Sequence, residues 1–154
     1  MAFILNSPAF DDGDPIPPRY SRDGDNISPP LEWQDAPPTT QSYVLVVDDP
    51  DAPSGTFRHW AVYNIMGTRD RLSEGTTAGA KTERLGHGVN DFGNAHWDGP
   101  QPPRGHGRHH YHFRLAALDV PELDLPPKAT VEQIWRAARP HVVGEAELVG
   151  TFER

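Results

Sequence analysis

Two short stretches carry the side chains most able to do chemistry. Asp49-Pro50-Asp51-Ala52-Pro53 presents two carboxylates among prolines, directly after an apolar run that ends near Asp48. Proline fixes φ and cannot extend a sheet ladder, so this turn stops a strand and holds both carboxylates at a sheet edge. A plain Asp-Pro turn that only terminates a strand has the same appearance. In the second stretch His106, His109, His110 and His112 fall within seven positions. Such a cluster suggests a metal, but on a strand His110 and His112 share a face while His109 takes the other. At most two of those three can therefore point at one ion. Solvated histidines fit as well, and neither a metal nor a cofactor is expected. Just upstream, Pro102 and Pro103 with Gly105 and Gly107 would make a stiff wall beside bare backbone, close enough for a small anion. A crossover between strands with no ligand would use the same residues.

Other chemistries find no residues. There is no cysteine. There is also no GxSxG elbow, no HExxH helix, no P-loop and no glycine-rich turn between a strand and a helix. Ser54 follows the proline turn, but nothing in the sequence places a base beside it.

The elements that must position these residues are legible in part. Ser42–Asp48 (SYVLVVD) is a nearly continuous apolar run, the pattern of a strand buried on both faces. His59–Ile65 alternates, with His59, Ala61, Tyr63 and Ile65 on one side and Trp60, Val62 and Asn64 on the other. His109–Leu118 alternates most clearly: His109, Tyr111, Phe113, Leu115 and Ala117 face one way, and His110, His112, Arg114, Ala116 and Leu118 the other. His109 and Tyr111 are thus neighbours on an inward face. A strand near Ala2–Leu5, a last strand at Ala146–Phe152 and long ordered loops over Gly67–Arg108 complete the β part. One helix is expected, with Thr130 as N-cap, Gln133 closing a capping box, Val131, Ile134, Trp135 and Ala138 at helical spacing, and Pro140 ending it.

Composition sets outer limits. The chain has 154 residues and no composition break, so 1–154 reads as one domain. Its 17 prolines and 14 glycines favour a loop-rich β protein over a helix bundle. A formal charge of −8 argues against a nucleic-acid partner. MAFILNSPAF has no basic leader and only a short apolar run before Asn6, too short for a signal peptide or a membrane span. A cytoplasmic location is the default expectation.

With these motifs in order, the chain resembles the phosphatidylethanolamine-binding or Raf-kinase-inhibitor-like proteins, in their bacterial and archaeal branch. The opening FILNSPAFDDGDPIPPRYSRDGDNISPPLEW, then VVDDPDAP, NDFGNAHWDGPQPPRGHGRHHYHFRLAALD and the closing GEAELVGTF carry the likeness, which covers nearly the whole chain. The resemblance implies a mainly β fold, a large central antiparallel sheet flanked by a smaller one, with few peripheral helices and a pocket at one end. It implies that Asp49, Asp51, Pro53 and His59 join Pro103, Gly107, His109 and Tyr111 in that pocket. Two departures stand out: the motif's arginine is His110, which should affect an outer-face ion pair more than the pocket, and Phe57 stands where animal members carry tryptophan.

The chemistry expected of such a pocket is anion recognition. Two imidazoles can donate two N–H bonds to one anion, a neighbouring carboxylate raises an imidazole pKa and fixes its tautomer, and Tyr111 adds a hydroxyl. Phosphate, a phospholipid head group, a carboxylate such as acetate, or a phosphorylated side chain of a protein partner all match. The resemblance also implies regulation of kinase signalling in animals and homodimers among bacterial relatives. The alternative is an enzyme in which Asp49, His59, His109 and Tyr111 move protons during dehydration, isomerisation or hydrolysis of a small metabolite.

Overall fold

The computed structural model describes residues 2–76 and 85–154. Its centre is the Val-rich run, which forms β3 (Ser42–Asp49). On one side β3 pairs antiparallel with β4 (Phe57–Met66), and on the other with β7 (His109–Leu118). A two-residue β6 (Gly86–His87) and a long β8 (Val142–Phe152) extend this sheet to the order β6-β4-β3-β7-β8. A smaller sheet has the order β1-β2-β5, made of Ile4–Asn6, Leu31–Gln34 and Arg71–Leu72.

Both faces of the central sheet are covered, and this explains the unbroken apolar run. Tyr43, Leu45 and Val47 pack with Phe113, Leu115 and Ala117 in the larger core, which also takes in Leu5, Leu31 and Trp33 of the small sheet. Val44 and Val46 point the opposite way and join Ala116 and Leu118 beneath Ile134 and Ala138 of the helix. Full burial of each such aliphatic side chain contributes about 1.5–3 kcal/mol. The helix, α1, runs Val131–Ala138 with both halves of the Thr130/Gln133 capping box in place, and Arg139–His141 then closes it as one 3-10 turn.

Several boundaries differ from the sequence reading. The first strand is Ile4–Asn6 rather than Ala2–Leu5, and the last begins four residues earlier, at Val142. Leu31–Gln34 pairs as a strand although its sequence between two proline-rich stretches gave no sign of one. The stretch Gly67–Arg108 is not all loop: Arg71–Leu72 and Gly86–His87 pair with existing edges, and the part at 77–84 lies outside the described residues.

The most consequential difference lies in β4, where strict alternation fails twice. Trp60 pairs with Val47 but Arg58 with Asp48, so His59 is an extra residue, a β-bulge. Ile65 pairs with Tyr43 and Val62 with Leu45, a second irregularity at Tyr63 and Asn64, where Asn64 adopts φ 58°. Ile65 consequently joins Trp60 and Val62 in the larger core while Ala61 and Tyr63 stay on the helix side. The sequence reading had placed Ile65 with Ala61 and Tyr63.

Candidate functional site

The end of β3, the bulge in β4 and the start of β7 converge on a cavity of about 260 Å³. His109 and Tyr111 enter it because they hold alternate positions of β7 on the larger-core side, as their phase predicts. Asp49 is the last residue of β3 on that same side, two positions beyond Val47. His59 enters only because of the bulge. Regular alternation would have sent it with Ala61 toward the helix, whereas it meets Tyr111 edge-on at 5.2 Å between ring centres. Asp49, His59, His109 and Tyr111 are each no more than 4% exposed.

Each imidazole is anchored through Nδ1. His109 Nδ1 lies 2.6 Å from Asp49 Oδ2, and His59 Nδ1 lies 2.8 Å from the backbone oxygen of Asp98. A carbonyl oxygen can only accept, so His59 carries its hydrogen on Nδ1 and keeps a lone pair on Nε2 while neutral. The same logic puts a hydrogen on His109 Nδ1 against the Asp49 carboxylate. Burial lowers the His59 pKa below its ordinary value, against the raising influence of the Asp98 carbonyl and the Asp49 charge. The expectation that a nearby carboxylate raises the imidazole pKa is thus outweighed at His59 by desolvation. Tyr111 is shifted upward, first by burial and then by the charge and hydrogen bond of Asp49, so its phenol stays protonated.

Asp49 is a scaffold rather than a free ligand group. Its Oδ1 accepts the Asp51 N–H at 2.8 Å while Oδ2 takes His109. Asp51 turns outward: its Oδ2 accepts from His110 N at 2.8 Å and lies 2.7 Å from His110 Nδ1. Burial raises the Asp51 carboxyl, but the His110 hydrogen bonds outweigh it and the net shift is downward. His110 therefore supplies the outer-face pair for which the motif's arginine was missed. Of the eight residues anticipated for the pocket, Asp49, Pro53, His59, Pro103, His109 and Tyr111 line it. The other two do not line it: Asp51 faces His110, and Gly107 stands in the loop before β7 with φ +96°.

Apart from Phe57, which the sequence reading marked at the family's tryptophan position, residue type did not indicate the other members. Phe57 and Phe92 meet edge-to-face at 4.7 Å and form an aromatic lip beside His59, and the Arg22 guanidinium lies 4.0 Å from the Phe92 ring centre. Asp98, 1% exposed, is held by Asn90, Asn94 and Asn26. Burial raises its carboxyl, and those three amides more than offset it. Asn90 Nδ2 also lies 3.0 Å from the His59 carbonyl, so one amide links the bulge to the segment that anchors its imidazole. The histidine cluster is dispersed. His110 pairs with Asp51 and His112 lies 3.2 Å from Glu147, while His106 Nδ1 sits 2.6 Å from His109 Nε2.

Comparisons with known proteins agree with this architecture. A family model described as phosphatidylethanolamine-binding protein matches residues 6–153. A UPF0098 protein of Methanothermobacter thermautotrophicus is 44% identical over 151 residues, 97% of this chain and 98% of that one. The solved phosphatidylethanolamine-binding protein homolog CT736 of Chlamydia trachomatis superposes with a TM-score of 0.88 at 39% identity, covering 99% of this chain and 98% of that one. YbcL of E. coli, described as a member of the mammalian family, gives 0.93 at 28% identity over 100% and 99% of the two chains.

Proposed function

The chain belongs to the phosphatidylethanolamine-binding protein family, and on that premise we propose that its pocket binds a small oxyanion with uptake of a proton. The observation that carries this reading is the pair of buried imidazoles whose Nδ1 atoms are both occupied by fixed acceptors. Only Nε2 of each ring remains for a ligand, that of His109 once His106 Nδ1, 2.6 Å away, gives way. A neutral ring offers a lone pair there, and a protonated ring an N–H donor. An anion therefore favours protonated imidazole, and at His59 that proton must be taken up because burial keeps the empty site neutral.

The rest of the cavity limits the ligand to a compact anionic head. Ala52, Pro53, Phe57, Phe92, Pro102 and Pro103 supply an apolar rim around the imidazoles. A phosphate monoester, a phospholipid head group, a phosphorylated side chain or a carboxylate presents the matching acceptors, while the rim accepts an apolar continuation. Docking of a phosphorylated protein segment, the route by which such a pocket would regulate a kinase, uses the same acceptors.

Phosphate titrated calorimetrically into the full chain, in two buffers of different ionisation enthalpy, tests the reading. Proton uptake should appear as a buffer-dependent heat, and His59→Ala and His109→Ala should each lose about tenfold or more in affinity, the scale of a lost charge-assisted bond. Unchanged affinity in both variants would remove the pocket as the anion site.

One observation favours a second reading. His59 is oriented through Nδ1 with its Nε2 lone pair on the cavity side, the arrangement of a general base. Solvent deuterium appearing at a carbon of an added small carboxylate, and absent with His59→Ala, would support proton-transfer chemistry; a screen without exchange would count against it.

A further inference from the structure

His106 lies outside the pocket residues assigned so far, yet its Nδ1 is 2.6 Å from Nε2 of His109, the nitrogen that an anion would need. The two rings meet edge-on at 4.8 Å. Asp49 holds the hydrogen on His109 Nδ1, so the contact must use a single hydrogen between His109 Nε2 and His106 Nδ1. It forms when the two rings together are neutral or carry one positive charge. A second charge puts N–H against N–H, and the contact breaks.

His106 is also placed to move. It is exposed, whereas His109 is 2% exposed. It sits between Gly105 at φ +76° and Gly107 at φ +96°, backbone conformations that glycine adopts without steric cost. The loop backbone is tied by Gly105 N to the Arg154 carbonyl and by His106 N to the Pro103 carbonyl, so any rearrangement falls on the His106 side chain.

We propose that His106 is a third imidazole of the anion site, a latch that covers the ligand-facing nitrogen of His109 and turns onto the anion once both rings are charged. The inference rests on the anion-binding reading of the pocket. The titratable groups facing the pair are Asp49 from the end of β3, His59 from β4 and the phenol of Tyr111 from β7, while the Asp51 carboxylate acts on His109 from the outer face, where it is paired with His110. Arg154, on the C-terminal side, bonds the Pro102 carbonyl and has its charge paired with Asp23 at 2.8 Å, and Arg104 and Arg108 flank His106 in its own loop. Asp49 offsets one imidazolium charge, with a smaller contribution from Asp51 on the outer face, and an incoming anion balances the second.

Sulfate is the probe for the test, because its charge is constant across the histidine range. Its affinity is measured by calorimetry for the full chain and for His106→Ala at about pH 8 and about pH 5.5, on either side of an ordinary imidazole pKa of about 6.5. At the higher pH the variant should bind roughly fivefold more tightly, having lost a competitor for His109 Nε2. At the lower pH it should bind several-fold more weakly, having lost a cation. Parallel profiles with no crossover would overturn the latch and leave the pocket reading intact; failure of the parent chain to bind sulfate at either pH would overturn both. Nitrogen-15 spectra of the imidazoles in the ligand-free chain give a check that needs no anion. His106 Nδ1 and His109 Nε2 should change together with pH, and independent titration would count against the shared hydrogen.

Discussion

His109 Nδ1 and Asp49 Oδ2 are 2.6 Å apart, with the two side chains 2% and 4% exposed. This pair joins β7 to the end of β3 across 60 positions of sequence and fixes which nitrogen of His109 faces the cavity. Removing one partner of a buried, hydrogen-bonded pair leaves the other unsatisfied, at a cost of about 3–5 kcal/mol where the group stays charged. Asp49→Ala should therefore lower unfolding stability by an amount of that order in urea denaturation. Asp49→Asn retains an acceptor for Nδ1 but sets its amide NH2 against the Asp51 N–H, so it should restore only part of the stability while still weakening phosphate binding, because the carboxylate charge behind the imidazole is gone. Equal stability loss in both variants would argue that the charge and paired oxygens of the carboxylate, and not its shape, are what Asp49 supplies.

The lowered His59 pKa gives stability a defined pH dependence. The folded protein resists protonation of His59 more than the unfolded chain does, so the unfolded state binds more protons below its ordinary value of 6.5. The contribution is complete above that value and is lost as pH falls from there toward the lower folded pKa. Thermal unfolding should drop across that window, and the drop should be smaller in His59→Gln. Phosphate should raise the melting temperature more at about pH 5.5 than at about pH 8, because it binds the protonated ring.

Gly99 tests how the Asp98 carbonyl is aimed. A Cβ at this position would overlap the Tyr20 carbonyl oxygen, so Gly99→Ala forces the backbone apart next to Asp98. Overpacking of this kind costs about 1–3 kcal/mol. The variant should also bind phosphate more weakly, since His59 loses its fixed acceptor. A folded Gly99→Ala protein with parental affinity would show that the Asp98 carbonyl is not what orients His59.

His110 should tolerate the residue it replaces. It and Asp51 are 49% and 39% exposed at the side chain, so their pair belongs to the class worth about 0–1 kcal/mol. His110→Arg should keep the pair with Asp51, shift stability by less than about 1 kcal/mol and leave phosphate affinity within twofold. A tenfold change in affinity would mean that the outer face communicates with the pocket.

The sequence by itself determined whatever depends on residues close together along the chain. The alternation in His109–Leu118 put His109 and Tyr111 on one inward face, the prolines around Asp51 ended β3 at Asp49, and Thr130 with Gln133 marked the helix start. The resemblance added His59, but its own strand phase pointed the wrong way. Tertiary structure decided the rest, because bulges and backbone acceptors arise from the register between distant strands and leave little trace in residue type. The extra residue opposite Val47 and Asp48 turned His59 into the cavity, and the Asp98 carbonyl chose its tautomer. The same packing turned Asp51 to the outer face and set His106 against Nε2 of His109.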